Sequence, residues 1–98
     1  NGNFTPYPVK MGRGMPDRVT DETATVELLD AANPLFNFPN KITANDFAGW
    51  VQERGAYFFS EWDAQFKPLL SSHDPDEKDK QGGELIAVYG KGYYIYTA

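Results

Sequence analysis

The stretch from Ile42 to Phe59, ITANDFAGWVQERGAYFF, combines the strongest helix signal in the chain with its densest aromatic run, so the fold turns on how it is read. Thr43 stands where an N-cap would, with Asp46 three residues on as a shorter version of the capping-box Glu. Ile42 and Phe47 have the N′ and N4 spacing of a hydrophobic staple. Phe47, Trp50, Val51 and Arg54 recur at i, i+3, i+4 and i+7, one stripe whose last member can lay its stem over apolar surface. Gly55 supplies a stop. The spacing predicts a helix over 43–54, a glycine, and a strand over 56–59 with Trp62 just beyond it.

On the N-terminal side, Thr23, Thr25 and Glu27 alternate with Ala24, Val26 and Leu28, the period of a half-buried strand near 23–29. The connector 30–40, DAANPLFNFPN, is bracketed by turns at Asn33-Pro34 and Pro39-Asn40 and pinned by Leu35, Phe36 and Phe38. Residues 1–18 carry three prolines and three glycines, which is loop composition with one short extended piece at Val9 to Met11. Gly12-Arg13-Gly14 reads as a turn rather than an anion cradle, because Met15-Pro16-Asp17 opens no helix behind it.

On the C-terminal side, Phe66, Leu69 and Leu70 form a small apolar patch in which Pro68 limits any strand to an edge. Residues 71–83, SSHDPDEKDKQGG, have no large apolar side chain and read as a solvated, mobile loop. Strands near 85–89 and 93–97 around Gly90-Lys91-Gly92 read as a hairpin. Leu85, Ala87 and Tyr89 share one face of the first strand, with Ile86 and Val88 on the other. Two apolar faces call for an interior strand or for a cover, which the helix would supply.

Ninety-eight residues make one domain, 41% apolar and 15% aromatic, so rings carry much of the core. The net charge of −5 argues against nucleic acid and anionic membranes as partners. With zero cysteine, disulfides, thiolate catalysis and sulfur-ligated metals are all excluded. No apolar run approaches the roughly 20 residues of a membrane span. The chain begins at Asn1 without an initiator Met, as a fragment would.

Three groups of residues invite chemistry. His73-Asp74-Pro75-Asp76-Glu77 puts nitrogen and oxygen donors in one loop, but a catalytic zinc takes three rigidly held protein ligands and this chain has a single histidine. Lys78 and Lys80 interleave the acids, so a solvated charged loop is the favoured reading, with a weak calcium contact behind it. Glu53-Arg54 and Glu61-Trp62-Asp63 flank the aromatic strand, and carboxylates near rings are what a sugar-binding cleft uses. Pairing of Arg54 with Glu53 or Glu61 is the plainer role. Among the rings, Trp62 and Tyr94 are the candidate stacking platform for a carbohydrate, with Glu61 and Asp63 as its polar partners; most of the other aromatics are expected in the core.

The motifs F-P-N-K-I-T (38–43), D-F-x-G-W-V-Q-E-R-G-x-Y-F (46–58), P-L-L-S-S-H-D-P (68–75) and Y-G-K-G-Y-Y-I-Y-T (89–97) carry a resemblance that covers nearly the whole chain. They resemble the C-terminal, class I glutamine amidotransferase-like region attached to some bacterial LmbE-related (PIG-L type) sugar deacetylases, and Arg18-Val19-Thr20-Asp21-Glu22 matches the approach to that region. The resemblance implies a fragment of a larger, doubly wound α/β amidotransferase-like domain. It brings no catalytic residue with it: the deacetylase zinc motif A-H-P-D-D is absent, His73-Asp74-Pro75-Asp76 has a transposed order, and the amidotransferase triad needs a cysteine. The family pattern runs on past Thr97 with a segment that packs on the last strand, so the hairpin is expected to be left partly uncovered.

The sequence therefore leads to an α+β domain, a mostly antiparallel β-sheet with one main helix (43–54) on a face. Its expected role is a non-catalytic accessory or structural domain of an LmbE-related protein, without metal or cofactor. The rivals are a carbohydrate-binding module built on exposed aromatics and a fragment of a metal-dependent hydrolase. The expected partners are a second copy of the chain, met through the C-terminal hairpin, and the rest of a parent deacetylase.

Overall fold

The computed structural model describes residues 4–12, 17–51 and 54–98. Their strands are β1 (Val9–Met11), β2 (Asp17–Val19), β3 (Glu27–Leu28), β4 (Gly55–Trp62), β5 (Lys67–Pro68), β6 (Leu70–Ser71), β7 (Glu84–Tyr89) and β8 (Gly92–Thr97). They form three small sheets, in the orders β1-β4-β2, β3-β6 and β5-β7-β8, and every pairing is antiparallel.

β4 is the spine, and its aromatic sequence explains how. β1 pairs with its C-terminal half, Val9 opposite Trp62, and β2 with its N-terminal half, Val19 opposite Gly55. Phe58 and Phe59 are consecutive and both buried, and because neighbours on a strand point to opposite faces each enters its own cluster. Tyr57 has φ 64, and pairing with β2 shifts register beside it. Phe58 joins Val19 and Ala24 in one small core, while Phe59 joins Val9, Phe66, Leu85 and Ala87 in the larger one. Tyr7, Met11, Trp62, Tyr94 and Tyr96 pack around the larger cluster, so rings do close this core.

The hairpin forms as its sequence indicates. β7 and β8 pair from Glu84 opposite Thr97 to Tyr89 opposite Gly92, joined by Gly90-Lys91. Gly90 has φ 58 while Lys91 does not enter that region, the pattern of a type II′ turn, which puts Gly at its first central position. Pro68 lies on β5, at the edge of that sheet.

The helix expected over 43–54 is not there. No helix of seven residues occurs among the described residues, and the α+β assignment is replaced by a mostly antiparallel β architecture. The start signal works locally: Thr43 N–H donates to Asp46 Oδ2 (2.8 Å), and Ala44–Phe47 make a 3-10 turn. Ala48 is then extended (ψ 136) and Gly49 is left-handed (φ 73). A short helix is marginal unless its apolar stripe is buried, and an internal glycine costs about 1 kcal/mol. Here the stripe finds no core: Phe47 and Trp50 stack on each other at 6.5 Å, and Trp50 and Val51 stay exposed. Arg54 N–H bonds instead to Val19 O (2.9 Å), drawing the chain into pairing with β2. No parallel, helix-covered sheet of the amidotransferase-like kind is present among the described residues.

Two further expectations change. Only Glu27–Leu28 of the 23–29 segment is ladder-paired, although its alternation holds, with Ala24 and Val26 buried between exposed Thr23, Thr25 and Glu27. The 71–83 segment is not a free loop. Ser72 and Lys80 exchange backbone bonds (3.1 and 2.7 Å), Ser72 Oγ donates to Thr25 O (2.7 Å), and Phe59 N–H reaches Gly82 O (3.1 Å). Polar groups do here what apolar side chains do elsewhere. Of the Gly12-Arg13-Gly14 turn, Arg13 and Gly14 lie outside the described residues.

Candidate functional site

Of the four candidate sugar-binding residues, three meet in space. Glu61, Trp62 and Asp63 share a shallow recess of about 230 Å³ with Pro8, Val9 and Lys10. Trp62 is half-buried against the larger core, and Asp63 is engaged in a turn, with Oδ1 accepting from Gln65 N–H (2.9 Å) and its own N–H donating to Pro8 O (2.9 Å). Tyr94 lies elsewhere, edge-on to Phe66 at 6.2 Å and on the inner side of β8. Glu61, Trp62 and Asp63 are thus neighbours in one recess, while Tyr94 does not line it.

The histidine loop is built around Asp74. Asp74 Oδ1 accepts from the N–H groups of Thr20 (2.8 Å) and Asp21 (2.7 Å), and Oδ2 from the Thr20 hydroxyl (3.0 Å). Those donors, Asp21 N–H foremost, hold its carboxyl below the usual range. His73 Nδ1 lies 2.8 Å from Asp74 O, with Nε2 3.7 Å from Asp79. Asp74 ties the loop to the 20–21 turn, and among the described residues no three His, Asp or Glu side chains are grouped to hold a metal.

Arg54 sits at a different place, one that sequence reasoning took for an ion pair. Among the described residues no carboxylate lies within 4 Å of its guanidinium, and Glu53 is outside them. Nε donates to Ala24 O (2.9 Å) and Nη1 to Trp50 O (3.3 Å), so two carbonyls fix the side chain between the 24–26 and 47–50 segments. There Arg54 lines an open cleft of about 500 Å³ with Val26, Phe47 and Trp50. The same four residues line an inner recess of about 70 Å³, which runs on to Ser72, Lys80 and Glu84. Glu84 is half-buried with the Thr97 hydroxyl on Oε2 (3.2 Å), and desolvation pushes its carboxyl up. In the sequence only the tight i, i+3, i+4 set at Phe47, Trp50 and Val51 hints at this cleft, and it equally fits the apolar stripe of a helix.

A continuous exposed apolar surface lies on the outer face of the hairpin. Ile86 opposes Ile95 and Val88 opposes Tyr93 there, beside Leu35 and Phe38, around a groove of about 530 Å³. Val88 is 60% exposed, Tyr93 72% and Phe38 82%. A search of protein-family models, of curated proteins and of solved structures finds no match to this chain.

Proposed function

We propose that the chain is a non-catalytic accessory domain of an LmbE-related protein, and that it acts by docking through the outer face of β7 and β8 onto a second copy of itself. The apolar groove carries this reading: large side chains left in water on one face mark a contact surface rather than a reaction centre. The carboxylates of the family-like motifs support it from the other side. Asp46 closes a turn and Asp74 pins a loop, so each has a structural partner and neither is left to handle a proton for a substrate.

Three features favour a second copy as the occupant. β8 ends its sheet, and among the described residues nothing pairs with its outer edge. From Gly92 to Thr97 that edge has no charge, proline or bulge to discourage strand pairing. The face itself carries little of the net charge of −5, since Lys67 there is neutralised by Asp30 of its own chain (2.7 Å). Two-fold pairing of β8 with β8 of the copy continues the sheet and brings the two grooves together.

Sedimentation velocity at micromolar to submillimolar concentration tests the docking. A dimer is expected, and Ile95→Lys, on the outer face, should give a monomer with little change in melting temperature. A parent chain that stays monomeric throughout would overturn self-docking. The LmbE-related context has its own test, the coding frame upstream of Asn1: an A-H-P-D-D motif supports it, and a frame without one removes it.

A further inference from the structure

We propose that the cleft around Arg54 is a binding site for a small organic carboxylate with a flat apolar body, the carboxylate seated in the inner recess between Arg54 and Lys80 and the body lying on Trp50. The site is distinct from the hairpin face and shares no residue with it.

The geometry divides the site into two parts with different chemistry. The outer cleft, about 500 Å³, has the size of small-ligand sites and is lined by Ala24, Val26, Phe47, Trp50 and Val51 together with the polar Glu22, Thr23 and Thr25. One face of the Trp50 ring is taken by Phe47, with planes 23° apart, while half of the residue remains open to solvent, which leaves ring surface for a second flat group. The inner recess, about 70 Å³, exceeds the ~10–15 Å³ that a single water needs and accepts a small polar group, not a ring.

The charges in the inner recess select the sign of that group. Arg54 is held by carbonyl oxygens, which orient a guanidinium without neutralising it. Nε and one Nη1 hydrogen serve those bonds, and a guanidinium has five N–H donors, enough left over for a carboxylate. Lys80 brings a second cation; its side chain is 17% exposed and bonded to Glu77 at 3.1 Å. Glu84 is the one acid lining the recess among the described residues, and its Oε2 is engaged by the Thr97 hydroxyl (3.2 Å), so two cations face one carboxylate there. Phosphate chemistry fits less well, since its larger charge would meet Glu84 in the recess and Glu22 in the cleft, and the apolar wall of the cleft would add nothing.

The test uses Trp62→Phe, which leaves Trp50 as the reporter because the chain has two tryptophans. Phenylacetate is expected to change Trp50 fluorescence saturably, with phenylacetamide and acetate each at least tenfold weaker. Lys80→Gln and Arg54→Lys should each weaken phenylacetate at least tenfold. Arg54 also holds two carbonyls, so if Arg54→Lys fails to fold, Lys80→Gln, which removes the second cation of the recess and its pair with Glu77, decides the matter. No saturation by phenylacetate, equal binding of acid and amide, or a Lys80→Gln protein that binds like its parent would each overturn the assignment.

Discussion

At the scale of single residues, the polar side chains of this protein act mainly as ties between segments that share little apolar contact. Asp74 joins two turns some fifty positions apart in sequence through three donors, and its carboxyl is held below its ordinary value of 3.8. Because the folded state favours the ionised form, the stabilisation is complete above the unfolded value and is lost as pH falls through the lower folded one. Asp74→Asn keeps an acceptor but loses the charge, and should cost about 1 kcal/mol at neutral pH, an amount reduced by the exposure of the site. Thermal unfolding of variant and parent should converge as the solution is acidified below the carboxylate range. Parallel curves down to strong acid would mean that Asp74 ionisation contributes nothing to the fold. Glu84 works in the opposite sense: its value is raised by desolvation, so its ionisation weakens the fold as pH rises through the raised folded value.

At the scale of elements, the outcome depends on which segments win the few buried positions. The β7–β8 hairpin was legible because strand period and turn chemistry agree within fourteen residues, and β1 because its prolines leave only Val9 to Met11 free to extend. The 43–54 helix does not form because a stripe of apolar residues needs a surface to pack on, and Phe58 and Phe59 already occupy both cores. Two separate clusters served by neighbouring rings leave no room for a third apolar face, and the left-handed residue at Tyr57 beside them is announced by no glycine or asparagine in the sequence. The Arg54 cleft stayed hidden for the same reason, since its walls were assigned to a helix and its cation to an ion pair. Gly82 shows how tightly one supposed loop is docked. A Cβ there would fall inside van der Waals distance of the Phe59 carbonyl oxygen and within 2.7 Å of its carbon, both backbone atoms that cannot step aside. Gly82→Ala should therefore cost about 3 kcal/mol in urea or thermal unfolding. Gly83→Ala meets only the Phe58 ring, at 2.7 Å, and should cost clearly less. Equal losses at the two positions would show that the 82–83 segment does not pack on β4 as described.

At the scale of the whole molecule, shape and charge together determine how self-docking must respond to salt. The chain is a slab of 38 × 37 × 17 Å, too thin to bury apolar side chains on both faces of the β5-β7-β8 sheet. Leu85 and Ala87 take the inner side of β7, and Val88 is left outside. The 17 Å thickness is about two Debye lengths at physiological ionic strength and less at lower salt, so charge on the opposite face is felt at the docking face mainly when salt is low. Two copies, each with a net charge of −5, therefore repel as they approach, although the face itself is nearly uncharged. Salt screens that repulsion and does not weaken apolar contact or strand pairing. The dimer should tighten several-fold between about 0.05 and about 0.5 M sodium chloride, read as a shift of the monomer–dimer midpoint in sedimentation equilibrium. An assembly held by Lys91 or Lys67 against the acidic 74–79 loop of a neighbour would respond the other way, loosening as salt rises. That outcome would move the contact off the hairpin face and onto the charged rim, and Ile95→Lys would then leave the dimer intact.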